Sequence, residues 1–151
     1  MTKTDKKPLT AGVLITDGDV FLACRATGHN RYNLPKGMQE EGETPIETCC
    51  RECKEETGIV LDPDKLVDLG EFPYLRSKDL HLFLWLARTD ELPPLNKLRC
   101  TSYFQHYHTR QRVAEIDDYR YLRFDKTDDW LDKSIARIIN QIVDDGALRQ
   151  H

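Results

Sequence analysis

The segment Gly37–Ile59, GMQEEGETPIETCCRECKEETGI, constrains this chain more than any other, because it specifies a helix at both ends and loads it with like charge. Thr44, Pro45 and Glu47 have the spacing of a capping box with proline at the first helical position, where its missing N–H is no loss. Gly58 is placed to end the helix, since glycine adopts the left-handed conformation that helix C-termini favour. Between these ends, Ile46, Cys49, Cys50 and Cys53 form an apolar side, while Glu52, Glu55 and Glu56 stand at i, i+3 and i+4 on an acidic one. With Glu40, Glu41, Glu43 and Glu47, seven carboxylates fall in one loop and one helix. Carboxylates at helical spacing repel unless a cation neutralises them. Clustered carboxylate oxygens are the donors that hard divalent ions select. The segment therefore reads as a metal site on a helix, and metals of this kind usually hold phosphate.

The rest of the chain reads as short strands around that helix. Ala11–Thr16 and Val20–Arg25 are apolar runs joined by Asp17-Gly18-Asp19, a hairpin signal. Tyr32-Asn33-Leu34 reads as a strand end, with Pro35-Lys36-Gly37 as the turn after it. Leu66–Tyr74 and Tyr119–Phe124 read as strands, and Leu80–Arg88, the most apolar, as a central one. Asn96–Ala114 reads as a long functional loop that has room for a short strand. Trp130, Leu131, Ile135, Ile138, Ile139 and Ile142 recur with helical period and predict one closing helix capped near Asp128.

Composition bounds the class. With 151 residues, 39% of them hydrophobic, the chain has material for one packed domain, expected over residues 9–151 behind a flexible tail at 1–8. Its formal net charge of −4 gives no footprint for non-specific nucleic-acid binding, so DNA is not an expected partner. No apolar run reaches membrane-spanning length, and Met1–Thr10 has no hydrophobic segment of a secretory signal. Cys24, Cys49, Cys50, Cys53 and Cys100 are odd in number and form no disulfide framework. Cys50-x-x-Cys53 lies within the helix and has no second pair at metal spacing, so these thiols read as core packing in a reducing cytoplasm.

Gly37, five residues, Glu43, seven residues, then Arg51-Glu52-Cys53-Lys54-Glu55-Glu56-Thr57-Gly58-Ile59 resembles the signature box of the Nudix hydrolases. Every charged and glycine position of that pattern is matched. Cys53 occupies an apolar position where the family prefers an aliphatic residue, a change of packing rather than of chemistry. The resemblance implies an α/β/α sandwich with a mixed β-sheet between helices. It also implies a Mg²⁺-dependent (or Mn²⁺-dependent) pyrophosphohydrolase that cleaves a nucleoside diphosphate linked to another group. The implied metal ligands are Glu52, Glu55, Glu56 and the backbone carbonyl of Lys36. Glu52 or Glu55 would also orient or deprotonate the attacking water. Arg51 would hold Glu43 or Glu55 in place, and Glu43 would pin the loop to the helix. Gly37 would let the loop approach the metal, and Gly58 would cap the helix.

Outside the box, Leu34-Pro35-Lys36-Gly37 resembles the LPKG form of dinucleoside polyphosphate hydrolases, RNA 5′-pyrophosphohydrolases and diphosphoinositol polyphosphate hydrolases. Nucleotide-cleaning members more often carry glycine at the Lys36 position. A lysine there adds a point charge for an extra phosphate, which favours a dinucleoside polyphosphate. The rival substrates are 5′-triphosphate RNA, nucleoside triphosphates, ADP-ribose and diphosphoinositol polyphosphates. A non-catalytic nucleotide-sensing domain is a rival of another class, although such domains usually lose a box carboxylate. Glu115 precedes Ile116–Tyr121 as in the glutamate loop before the family's last strand, where a fourth metal contact or the base is found. Tyr103, Phe104 and Tyr107 in the long loop offer rings for a base. Arg25, Tyr74, Arg76 and Lys78 are further candidate substrate contacts. Either a monomer or a homodimer is compatible with the sequence.

Overall fold

The computed structural model describes residues 8–149; of the tail expected at 1–8, all but Pro8 lies outside them. Eight strands, β1 (Leu9–Thr16), β2 (Val20–Ala26), β3 (Lys36–Met38), β4 (Val67–Leu75), β5 (Lys78–Leu86), β6 (Tyr103–Gln105), β7 (Arg112–Ala114) and β8 (Ile116–Arg123), accompany three helices, α1 (Pro45–Thr57), α2 (Thr127–Trp130) and α3 (Lys133–Asp144). The main sheet runs β4-β5-β1-β2-β8, with β3 also paired to β1. Only β1 and β5 pair in parallel, so the sheet is mixed.

Alternation along the strands builds two cores. Ala11, Val13 and Ile15 of β1, Leu22 of β2 and Phe83 of β5 point to one face and pack with Cys49 and Cys53 of α1. Leu14, Phe21, Ala23, Leu80, Leu82 and Leu84 point to the other and pack with Ile135, Ile138, Ile139 and Ile142 of α3. Both faces are thus covered, giving the α/β/α sandwich, and strands buried on both faces read as continuous apolar runs. The β1–β2 turn forms because the Asp17 carboxylate accepts the N–H groups of Asp19 (2.9 Å) and Val20 (3.1 Å).

Three expectations are corrected. The strand lies at Lys36–Met38, not at Tyr32–Leu34, and it enters a fork in the sheet. Strands β1 and β2 pair only beside their turn, at Thr16 and Phe21. Below that point the chain at 33–39 wedges between them: Pro35 accepts the Val13 N–H, Leu9 accepts the Gln39 N–H, and Asn33 and Cys24 exchange both of their backbone bonds. The closing helix is also not continuous. Leu131 and Asp132 run extended between α2 and α3. They do so because Tyr32 donates to the Trp130 carbonyl and accepts the Asp132 N–H, drawing the backbone out of the helix. Finally, the long loop at 96–114 contains its own hairpin, β6–β7. Strand β5 is interior, between β4 and β1.

Candidate active site

Helix α1 begins as its sequence dictates. Thr44 and Glu47 form the reciprocal capping box, and Gly58 closes the C-terminus at φ 81° with its N–H on the Lys54 carbonyl. Arg51 sits at the centre of the carboxylates. Its guanidinium grips Glu43 with two bonds (2.6 and 3.0 Å), reaches Glu52 (2.9 Å) and Glu55 (3.2 Å), and donates to the Met38 carbonyl (3.0 Å). Glu43 also accepts the Glu40 N–H and the Thr48 hydroxyl. Arg51 first, and these donors after it, hold the Glu43 carboxyl down at about 2. The loop ahead of the helix is thereby fastened to its middle.

Glu52 lies directly over Gly37. A β-carbon on residue 37 would stand 1.9 Å from the Glu52 carboxyl carbon and 2.2 Å from both of its oxygens. Glu56 goes deeper. It is only 7% exposed, so it belongs to the buried side with Cys49 and Cys53 and not to an outer acidic face. It accepts the Lys36 N–H at 3.2 Å. Burial pushes its carboxyl up to about 8, with the charges of Glu52 and Glu115 adding and Lys36 opposing. Burial raises Glu52 as well.

These groups meet in the fork. A cleft of about 320 Å³ is lined by Cys24, Ala26, Asn33, Leu34, Lys36, Gly37, Met38, Glu52, Glu56, Glu115 and Ile116. Glu115 arrives from the residue before β8, its N–H on the Ser102 carbonyl and its own carbonyl accepting from Thr27. Lys36 is the one cation among these lining residues. Its β-carbon lies on the side of Gly12 that faces α3, and its ammonium stands 5.8 Å from the centre of the Tyr74 ring. Lys36 and Gly37 thus serve opposite sides of one short strand. A larger groove of about 660 Å³ runs beside α3, but its Arg137, Asp144 and Asp145 are exposed to solvent.

The donor set suits a hard divalent ion. Glu56 is buried, Glu52 is half-buried one helical turn before it and Glu115 is exposed across the cleft, so like charges converge there and a cation among them would offset the repulsion. Glu52, Glu56 and Glu115 supply oxygen donors and no thiolate competes with them, since Cys24 is 2% exposed and its thiol is pushed up by burial. Among the described residues no ready-made metal cluster is found, and Glu55 is turned onto Arg51.

Several substrate candidates fall elsewhere. Arg25 lies on the other face of β2 from the cleft-lining Cys24 and Ala26, over the Tyr32 ring and bonded to Asp117 (3.0 Å), because alternation sends it there. Tyr74 is core: it is 8% exposed and its hydroxyl accepts from Asn33, so its ring serves as a platform beneath Lys36. Lys78 reaches Met38 at the rim, and Arg76 is exposed in the β4–β5 turn. Tyr103, Phe104 and Tyr107 ride on the β6–β7 hairpin, exposed and outside the cleft lining, with Arg112 stacked on Tyr103. Cys24 and Asn33 line the cleft unforeseen. Gly12, set in an apolar strand, was the available signal of close backbone approach.

The NUDIX domain family model matches residues 6–141, and the chain belongs to this family. It is a Nudix hydrolase, an enzyme of the phosphoanhydride-cleaving kind. An uncharacterized 17.7 kDa protein of Enterobacteria phage T4 is 31% identical over 153 residues, covering 94% of this chain and 99% of that one. An RNA pyrophosphohydrolase of a Nitratiruptor species is 31% identical over 84 residues, 52% of each chain. The NUDIX domain of Shewanella oneidensis NrtR, solved with ADP ribose, superposes with a TM-score of 0.67 at 15% identity over 95% of this chain and 98% of that one. At that identity the likeness speaks for the fold alone.

Proposed function

We propose that this chain is a Mg²⁺- or Mn²⁺-dependent hydrolase of nucleoside polyphosphates, with dinucleoside polyphosphates its favoured substrates. Glu52 and Glu56 would hold the metal, and Glu55, released from Arg51, and the Lys36 carbonyl would complete the set. A divalent ion held there would screen the phosphate oxygens and help to activate water. Glu115 faces the pair across the cleft, where it orients the attacking water or takes its proton. General-base help of this kind is worth roughly 10²–10⁴ in rate. Arg51 keeps Glu43, Glu52 and Glu55 in register, as bidentate guanidinium contacts do.

The observation that carries the substrate choice is the placement of Lys36. Its side chain leaves β3 on the side away from Glu52, so its charge supports a phosphate beyond those at the carboxylates. A longer phosphate chain uses that charge and ADP-ribose does not. A second reading, the 5′ end of a triphosphorylated RNA, is favoured by the Nitratiruptor relative and by the exposed Tyr103, Phe104 and Tyr107 beside Arg112.

The test is a substrate panel with Mg²⁺ or Mn²⁺ in ¹⁸O-labelled water, products identified by mass. Dinucleoside tetraphosphates should show the highest kcat/KM. Preference for 5′-triphosphate RNA moves the assignment to the second reading, and preference for ADP-ribose refutes both.

A further inference from the structure

The last carbonyls of a helix find no partner within it and must be met from outside. In α1 those beyond Lys54 belong to Glu55, Glu56 and Thr57. The Glu55 carbonyl accepts the Thr101 N–H (2.7 Å), and the Thr57 carbonyl accepts the Arg99 N–H (3.0 Å). The Glu56 carbonyl accepts the phenol of Tyr119 (2.5 Å), which reaches it from β8. The turn that presents two of the carboxylates is therefore fastened by the chain on either side of the aromatic hairpin and Glu115.

Resting on the metal reading above, we infer that Tyr119 is a positioning residue for this reaction. Its hydroxyl fixes the Glu56 backbone against β8, and so sets the Glu52–Glu56 turn at a fixed distance from Glu115 at the head of that strand. Functional constellations must hold within about 0.5 Å, and helix ends fray when their carbonyls lose a partner. Thr101 and Arg99 hold the neighbouring carbonyls from a loop, whereas Tyr119 ties the helix to the sheet itself.

Tyr121 is the matched control. Two residues along the same strand, it is half-buried on the same face and donates a similar bond (2.6 Å), but to Pro93 in a loop. Tyr119→Phe and Tyr121→Phe each remove one phenol and keep the ring. The measurements are Mn²⁺ uptake by the metal-free protein, followed by electron paramagnetic resonance, together with kcat, KM and thermal melting. Both variants should lose similar melting temperature. Tyr119→Phe should bind Mn²⁺ about fivefold to tenfold more weakly, the scale of one buried hydrogen bond, with kcat down in proportion and KM unchanged. Tyr121→Phe should match wild type in metal affinity and kcat. Wild-type Mn²⁺ affinity and kcat in Tyr119→Phe would overturn the inference, as would equal losses in both variants. Wild-type protein that takes up no Mn²⁺ would instead sink the metal reading, and this inference with it.

Discussion

Gly37→Ala isolates the geometry on which the site depends. Gly37 is not among the glycines of positive φ, so alanine meets no backbone strain there. The whole effect comes from one methyl group, which would stand 1.9 Å from the Glu52 carboxyl carbon, where ordinary contact begins at 3.4 Å. Glu52 must therefore retreat by about 1.5 Å, and a misplacement of about 1 Å in a catalytic group can cost ~10² in rate. The swing also breaks its bond to Arg51. Turnover should fall at least ~10²-fold, while stability falls by only about 1–3 kcal/mol, the usual scale of one added methyl in a packed site. The assay pairs steady-state kinetics at saturating Mg²⁺ with urea unfolding. Repeating the change in a Glu52→Ala background closes a double-mutant cycle, and there the alanine should cost much less stability, because the carboxylate nearest to it is gone. Near wild-type turnover in Gly37→Ala, or an equal stability loss with and without Glu52, would refute the placement of Glu52 over Gly37.

Other consequences are as direct. Glu55→Gln removes one negative charge from the ligand set and should cut turnover by orders of magnitude while leaving the metal-free fold as stable or slightly more so, checked by kinetics and melting. Lys36→Ala should lower kcat/KM for dinucleoside tetraphosphates more than for ADP-ribose; equal losses would remove Lys36 from chain-length selection. Replacing Tyr103, Phe104 and Tyr107 together by Ala should raise KM for nucleotides by roughly tenfold to a hundredfold, the worth of stacking one base, and leave melting unchanged because the rings are exposed. Glu43 titrates near 2 when folded and near 4.5 when free, so its contribution is full above about 4.5 and disappears as pH falls towards 2. Glu43→Gln should accordingly cost about 1–3 kcal/mol at pH 7 and progressively less in that acid window, read by unfolding at several pH values.

The parts legible in the sequence are those written in local chemistry. The capping box, Gly58 and the Asp17 turn each depend on neighbours a few residues away, and each is found where its residues predict. Period-two alternation along β2 sends Arg25 away from Cys24 and Ala26, and that too is local. The rest depends on partners far along the chain. The break at Leu131 and Asp132 is made by Tyr32, about a hundred residues earlier, and no helical period records it. The depth of Glu56 follows from its phase with Cys49 and Cys53, which places it against the sheet although its charge argues for water. The clamp from Tyr119 to α1 joins two segments that share no local pattern.

The wedge of chain in the sheet's fork has a consequence for how this enzyme can tolerate change in length. Residues 33–39 bond to β1 on one side and to β2 on the other, so they are held in step with two strands at once. Side chains on an extended segment alternate, and a slip of one residue exchanges the two faces. Deleting or inserting a single residue between Asn33 and Met38 would bring a side chain beneath Glu52, where only glycine fits, and would turn the lysine into the carboxylates. The stretch 28–31, exposed throughout, is under no such double hold and can lengthen or shorten without touching the register. A few residues of chain thus separate a segment free to drift in length from one whose count is fixed by parity.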